Sequence, residues 1–127
     1  MSSPWQDPMI DKLCRVLDIN VFRSGLIVSN MANVDTPGYR TRDTNFQQEL
    51  AHLNDVGSAN DIWSEGVAGP NARVVRGLSI RPDGNNVSLE RESLLLAETQ
   101  IRFNAGVQLL RDYFKTLLSA IHEGSGS

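Results

Sequence analysis

Between Pro8 and Asn33 apolar side chains recur at Ile10, Cys14, Leu17, Val21, Val28 and Met31, with Ser24 in the one polar slot. The steps alternate between four and three residues, the heptad seam of a helix that packs along another helix. A second stripe, Ile19, Phe22 and Leu26, falls on a different face among Asp11, Arg15, Asp18 and Ser29. The rhythm returns from Ser88 to His122. There Leu89, Leu96, Phe103, Val107, Leu110, Phe114, Leu117 and Ile121 form a seam interrupted by Ser93 and Gln100. Leu94, Ala97, Ile101 and Ala105 make its second stripe, and the small Ala97, Ala105 and Gly106 leave room for a neighbouring backbone. At about 1.5 Å per residue this helix is a rod roughly 50 Å long. A hairpin of two helices uses one seam on each, so two stripes apiece predict further helical neighbours.

The middle of the chain has no such period. Gly57, Gly66, Gly69, Pro70 and Gly77 punctuate it, and Val74-Val75 and Leu78-Ser79-Ile80 are long enough only for brief strands. The pattern predicts a mainly α fold: two long terminal helices whose heptad seams pair as a coiled-coil-like hairpin, joined by an irregular loop region with short β pieces. The expected boundaries are a helix over 8–33, a connector over 34–87 with 51–72 mobile, a helix over 88–122 and a flexible tail over 123–127. Trp63 sits in the glycine-rich part, either as a local anchor of the loop or as a contact to another chain.

Composition narrows the function more than the fold. With 127 residues and only 6% aromatic side chains, the chain can bury one modest core. A net charge of −3 gives no pull towards nucleic acid or an anionic membrane. No run of about 18 apolar residues is present to span a bilayer. The N-terminus lacks the basic-then-apolar layout of a cleavable signal, so export would need another route. The lone Cys14 forms no internal disulfide, and its place on the seam predicts a small buried hydrophobe.

Two turn motifs carry the specific information. Ala32-Asn33-Val34-Asp35-Thr36-Pro37-Gly38-Tyr39 reads as a helix stop and a fixed turn. Asn33 can take the left-handed conformation that ends a helix, and Thr36-Pro37-Gly38-Tyr39 fits a type II turn with Gly38 at positive φ. Arg81-Pro82-Asp83-Gly84-Asn85-Asn86-Val87-Ser88-Leu89-Glu90 is a second dense turn signal. It runs into Ser88 as N-cap, with Glu90 and Glu92 at the positive end of the helix dipole. Both motifs resemble the bacterial flagellar basal-body rod protein family. So do Arg40-Thr41-Arg42-Asp43 with Phe46, Ala97-Glu98-Thr99-Gln100-Ile101-Arg102-Phe103-Asn104 and Val107-Gln108-Leu109-Leu110. The likeness covers roughly residues 10–50 and 80–121, is nearest to the proximal rod, and does not reach the middle. Ser88 stands where that family more often has Asp, and either residue caps a helix.

The resemblance implies a structural subunit of the flagellar rod, the drive shaft, whose terminal helices pack with those of other subunits into a helical tube that transmits torque. It implies periplasmic location, export by the flagellar type III apparatus, and contacts to other rod subunits, to further copies of the chain, to a rod–ring adaptor, the inner-membrane ring and the export gate. A cytoplasmic coiled-coil adaptor or regulatory module would account for the helices but not for the two turn motifs. A small hydrolase is the enzymatic rival. Against it, His52, His122 and Cys14 make no nucleophile–base pair, no metal-ligand spacing occurs, and Asp83-Gly84-Asn85-Asn86 lacks the alternating oxygen ligands of a calcium loop. The expectation is no catalysis and no cofactor. Arg73, Arg76 and Arg81 form a small basic cluster, a solvated loop or a contact to an acidic neighbour.

Overall fold

The computed structural model describes residues 7–55 and 70–125, with side chains for 7–53 and 70–124. Trp63 and the centre of the 51–72 segment lie outside the described residues. Asp7 opens the first helix, α1 (Pro8–Ala32), by accepting the Met9 amide at 2.8 Å, and Pro8 occupies the first turn, where it forfeits no intrahelical bond. A long helix, α3, spans Leu89–Ser125 and starts as expected, with Ser88 Oγ accepting the Arg91 amide at 3.3 Å. It runs past the expected boundary at 122 and takes in part of the expected flexible tail. Between them lie β1 (Arg42–Asp43), α2 (Phe46–Asp55) and β2 (Arg73–Val74).

The helices α1 and α3 pair antiparallel. Tyr113 Oη donates to Asp7 at 2.8 Å, Gly106 lies against Leu17, and Glu92 meets Asn30, so the two helices run past each other in one register. β1 and β2 form a two-stranded antiparallel ribbon, Arg42 opposite Val74 and Asp43 opposite Arg73. The ribbon is shifted from the expected Val74-Val75 piece, and Leu78–Ile80 forms no strand. β1 has no apolar alternation to announce it; it pairs because Thr41 and Asn30 hold its backbone in place. α2 is a further departure, because the connector was expected to be irregular. Asn45 caps it through the Gln48 amide, and Phe46, Leu50 and Leu53 follow at four and three residue steps, with Leu53 buried.

Along the seam on α3, Leu96, Phe103, Val107, Leu110, Phe114 and Leu117 are half-buried, while Leu89 at its start and Ile121 near its end are exposed. On α1 the seam divides. Ile10 is buried, Leu17 and Met31 are half-buried, while Val21 is 57% and Val28 54% exposed. The inward face of α1 is built on Ile19, Asn20, Ile27 and Asn30, flanked by Phe22 and Leu26. Two physical reasons account for this. A strict heptad drifts around a straight helix of 3.6 residues per turn. Inward positions are also taken by polar residues, which hydrophobic periodicity counts as outward. Cys14 goes with the outward face and is exposed, contrary to its expected burial. Partial burial, then Asp18 and Asp11, hold its thiol pKa above the usual value.

At the far end of the hairpin the hydrogen bond to the Asp7 carboxylate, then burial, then the Asp7 charge raise the pKa of Tyr113. The neutral phenol is the favoured form there. The contribution is therefore complete below the ordinary phenol value of about 10 and is lost as pH rises through the raised folded value. Spectrophotometric titration of the native chain is expected to show a tyrosine ionising later than an ordinary one, and Tyr113→Phe to abolish that component. At Gly106 an added Cβ would stand 2.8 Å from Leu17 Cδ2. Gly106→Val is expected to lower unfolding stability by about 1–3 kcal/mol through overpacking, measured by urea denaturation followed by circular dichroism.

Candidate functional site

The two turn motifs, far apart in sequence, dock on each other at the end of the hairpin where α1 stops and α3 begins. Helix α1 ends without a left-handed residue. Asn33 has φ −102° and ψ 18°, and no non-glycine residue described has positive φ. Its carboxamide performs the stop instead: Nδ2 donates to Ser29 O at 2.8 Å, and Oδ1 accepts the Thr36 hydroxyl at 3.0 Å. The turn that follows is as expected, with Gly38 at φ 75° and the Tyr39 amide donating to Thr36 O at 3.2 Å. In the second motif the Gly84 amide donates to Arg81 O, the Arg81 amide donates to Asn85 O, and Gly84 sits at φ 86°. This is the bonding of a three-residue hairpin loop, which needs a left-handed residue at its last position.

The docking contact is glycine on glycine. The Gly38 amide donates to Asp83 O at 2.9 Å, and a Cβ built on Gly84 would stand 3.3 Å from Gly38 Cα. Asparagine side chains then stand in for backbone. Buried Asn85 donates through Nδ2 to Asn33 O and Thr36 O, both at 2.8 Å, and accepts the Val87 amide at 2.7 Å. Buried Asn86 accepts the Thr41 amide at 2.7 Å. Arg81 closes the joint by donating to Val34 O and to Val87 O. Of the expected motif residues, Asn33, Thr36, Gly38, Tyr39, Asp83, Gly84, Asn85 and Asn86 therefore meet in one joint. Ala32, Asp35, Pro37 and Pro82 face solvent at its edge.

Beneath the turns lies a polar cluster that the apolar pattern did not reveal. Asn30, fully buried, donates from Nδ2 to Arg42 O at 2.7 Å and to Glu92 Oε2 at 3.0 Å. Its Oδ1 accepts the Tyr39 hydroxyl and the Arg42 amide, each at 3.0 Å. Glu92 was expected at the helix start as a dipole partner. It does lie in the first turn of α3, and it is also fully buried there, with Arg91 Nη1 2.7 Å from its other oxygen. Beside it Arg23 grips Asp43 with two bonds of 3.0 and 3.2 Å, and Arg91 approaches the same carboxylate at 3.7 Å. The signal for this cluster was present only as polar residues, Arg23 and Asn30, on the same face as Ile19 and Ile27.

The side chains of Asn30, Asn85, Asn86 and Glu92 are all engaged in holding chain segments together. Among the described residues no group of His, Cys, Asp and Glu could hold a metal ion, and no helix is long and apolar enough to cross a membrane. His52 lies exposed on α2 and His122 near the end of α3.

No protein-family model matches the chain. Among curated proteins it is 34% identical over 105 residues to the flagellar basal body rod protein FlgB of Cereibacter sphaeroides, covering 78% of this chain and 82% of that one. The chain belongs to the FlgB family of flagellar basal-body rod proteins. The FlgB of Salmonella typhimurium (strain LT2) is 26% identical over 123 residues, 86% of this chain and 89% of its own length. That of Escherichia coli (strain K12) is 25% identical over 138 residues, 92% and 100%. Membership in the FlgB family makes the chain a structural component of the flagellum.

Truncating the buried carboxamide strands Glu92 and the Arg42 amide. Asn30→Ala is expected to cost about 2–4 kcal/mol, since a charged partner is left buried and short of a donor. Chemical denaturation checks this.

Proposed function

We propose that this chain is a subunit of the proximal rod that assembles through outward faces of α1 and α3 into a helical tube transmitting torque. One observation carries the reading: the hairpin is closed, yet large apolar side chains line its outside. Leu94 is 70%, Ile101 69% and Leu109 59% exposed on α3, with Val21 and Val28 on α1. Contiguous exposed apolar stripes on helices mark surfaces that other chains cover. Stripes on two different helices suit contacts to more than one neighbour and a heterologous assembly that extends without closing. The docked turns would set the direction in which the connector leaves the hairpin, and so its place among neighbours.

The partners of such a subunit are other rod subunits and further copies of itself, with the rod–ring adaptor, inner-membrane ring and export gate beside it. The location would be periplasmic, reached through the flagellar export apparatus without signal cleavage. The chain would have no catalytic turnover, a reading supported by its similarity to structural rod proteins.

Ile101→Asp tests the outward face. The site is exposed, so unfolding stability is expected to stay within about 0.5 kcal/mol of wild type, while the protein disappears from purified basal bodies and motility is lost. Normal incorporation of the variant would refute the interface. Gly38→Val tests the joint. A β-branched residue at positive φ adds about 1–3 kcal/mol of strain, and a soluble chain that no longer supports swimming is expected; full motility would show the turn to be dispensable.

A further inference from the structure

An open cleft of about 410 Å³ lies between α1, the ribbon, the start of α2 and α3, lined among others by Arg23, Thr44, Phe46, Arg73, Arg91 and Arg102. Its cations are unequally engaged. Arg23 is held by Asp43 and Arg91 is shared between Glu92 and Asp43, whereas Arg102 pairs with Glu98 at the rim and stacks over the Phe46 ring at 4.8 Å. Arg73, exposed on β2 opposite Asp43, has no partner among the described residues. Thr44 is 3% exposed, and its hydroxyl also lacks a hydrogen-bond partner. The cleft thus gathers four guanidinium groups against Asp43 and Glu98, with Glu92 buried behind Arg91, Arg73 unpaired among the described residues, and an unsatisfied hydroxyl alongside.

We propose that this cleft receives a carboxylate side chain from an acidic segment of a neighbouring protein. Guanidinium groups match a carboxylate by paired hydrogen bonds. The cleft volume suits one or two side chains. Phe46 and Val74 supply an apolar wall for the methylene stem of a glutamate, a feature that a free inorganic anion would not use. The inference deepens the rod reading by giving the chemistry of one partner contact, but the preference for carboxylates rests on the cleft alone.

The test uses the full isotope-labelled chain, followed by NMR through its arginine Nε–H and backbone amide signals. The probes are a blocked peptide carrying adjacent glutamates, the same peptide with glutamines, and inorganic phosphate. The glutamate peptide is expected to shift Arg73, Arg102 and Thr44, and to lose affinity in about 0.5 M salt, where charge pairs are screened. Arg73→Gln is expected to weaken binding about threefold, the scale of one exposed ion pair, and Arg73→Lys, which keeps the charge but not the paired donors, to fall between that variant and wild type. No response, an equal response to the glutamine peptide, or phosphate binding as tightly as the glutamate peptide would each overturn the proposal. Because the isolated chain is the sample, such a failure leaves the rod reading standing. Absence of the wild-type protein from basal bodies would sink the rod reading without touching the cleft.

Discussion

The Asn30 carboxamide is the interaction on which the rest of the structure depends. A buried amide side chain has two hydrogens and one oxygen to satisfy, and here all are used, on α3 through Glu92 and on the connector through Tyr39 and Arg42. Apolar seams tolerate sliding, because a shift by a heptad restores similar contacts. A dry carboxamide facing a dry carboxylate does not. Any other register would leave both groups desolvated and unpaired, which is far more costly than a poorly filled apolar contact. The hairpin register is thus chosen by polar atoms and stabilised by apolar ones.

The buried residues show the same division. Among those described, the buried apolar side chains are Ile10, Ile19, Ile27, Leu53 and Val87, while the buried polar ones include Asn20, Asn30, Thr41, Asn85, Asn86, Glu92 and Thr99. A core so thin in apolar volume contributes modest stability. The turn joint compensates through geometry: Gly38 and Gly84 let two loops approach at backbone distance, and Asn85 and Asn86 answer the carbonyls and amides that such an approach would otherwise leave unpaired. The connector is irregular in its pattern yet pinned at its two ends.

The outside of the hairpin completes the picture. Leu94, Ile101, Leu109, Val21 and Val28 are costly to leave in water, and the helices that bear them are held in one register by the cluster beneath the turns. A rod subunit needs both properties, a fixed internal geometry and an apolar exterior. Separating them spatially, polar atoms inside one end and apolar stripes along the shaft, lets the fold be specified before its neighbours arrive.

Much of this was legible in the residues. Ser88 caps a helix because its hydroxyl reaches the third amide, and Gly38 takes positive φ because a proline-led turn requires it there. Both are local facts, decided within a few residues. The long helices followed from periodicity, for the same reason. What failed was whatever depended on distant partners. Asn33 was expected in the left-handed region but stays out of it, since its side chain and a docked Asn85 satisfy the helix end. Cys14, Val21 and Val28 were placed on an inward seam, and the choice of face fell to Asn30 and Glu92. α2 carried a capping Asn45 and a helical Phe46–Leu50–Leu53 spacing, but a signal of two turns is weak beside glycine-rich chain. The sequence by itself determined the helices, the caps and the turns, because those obey short-range sterics and hydrogen bonding. Only the tertiary structure decided which helix face is inward, that the two turns form one joint, and that Arg73 joins Arg23, Arg91 and Arg102 around a cleft, because burial of a polar group is set by the partner that meets it.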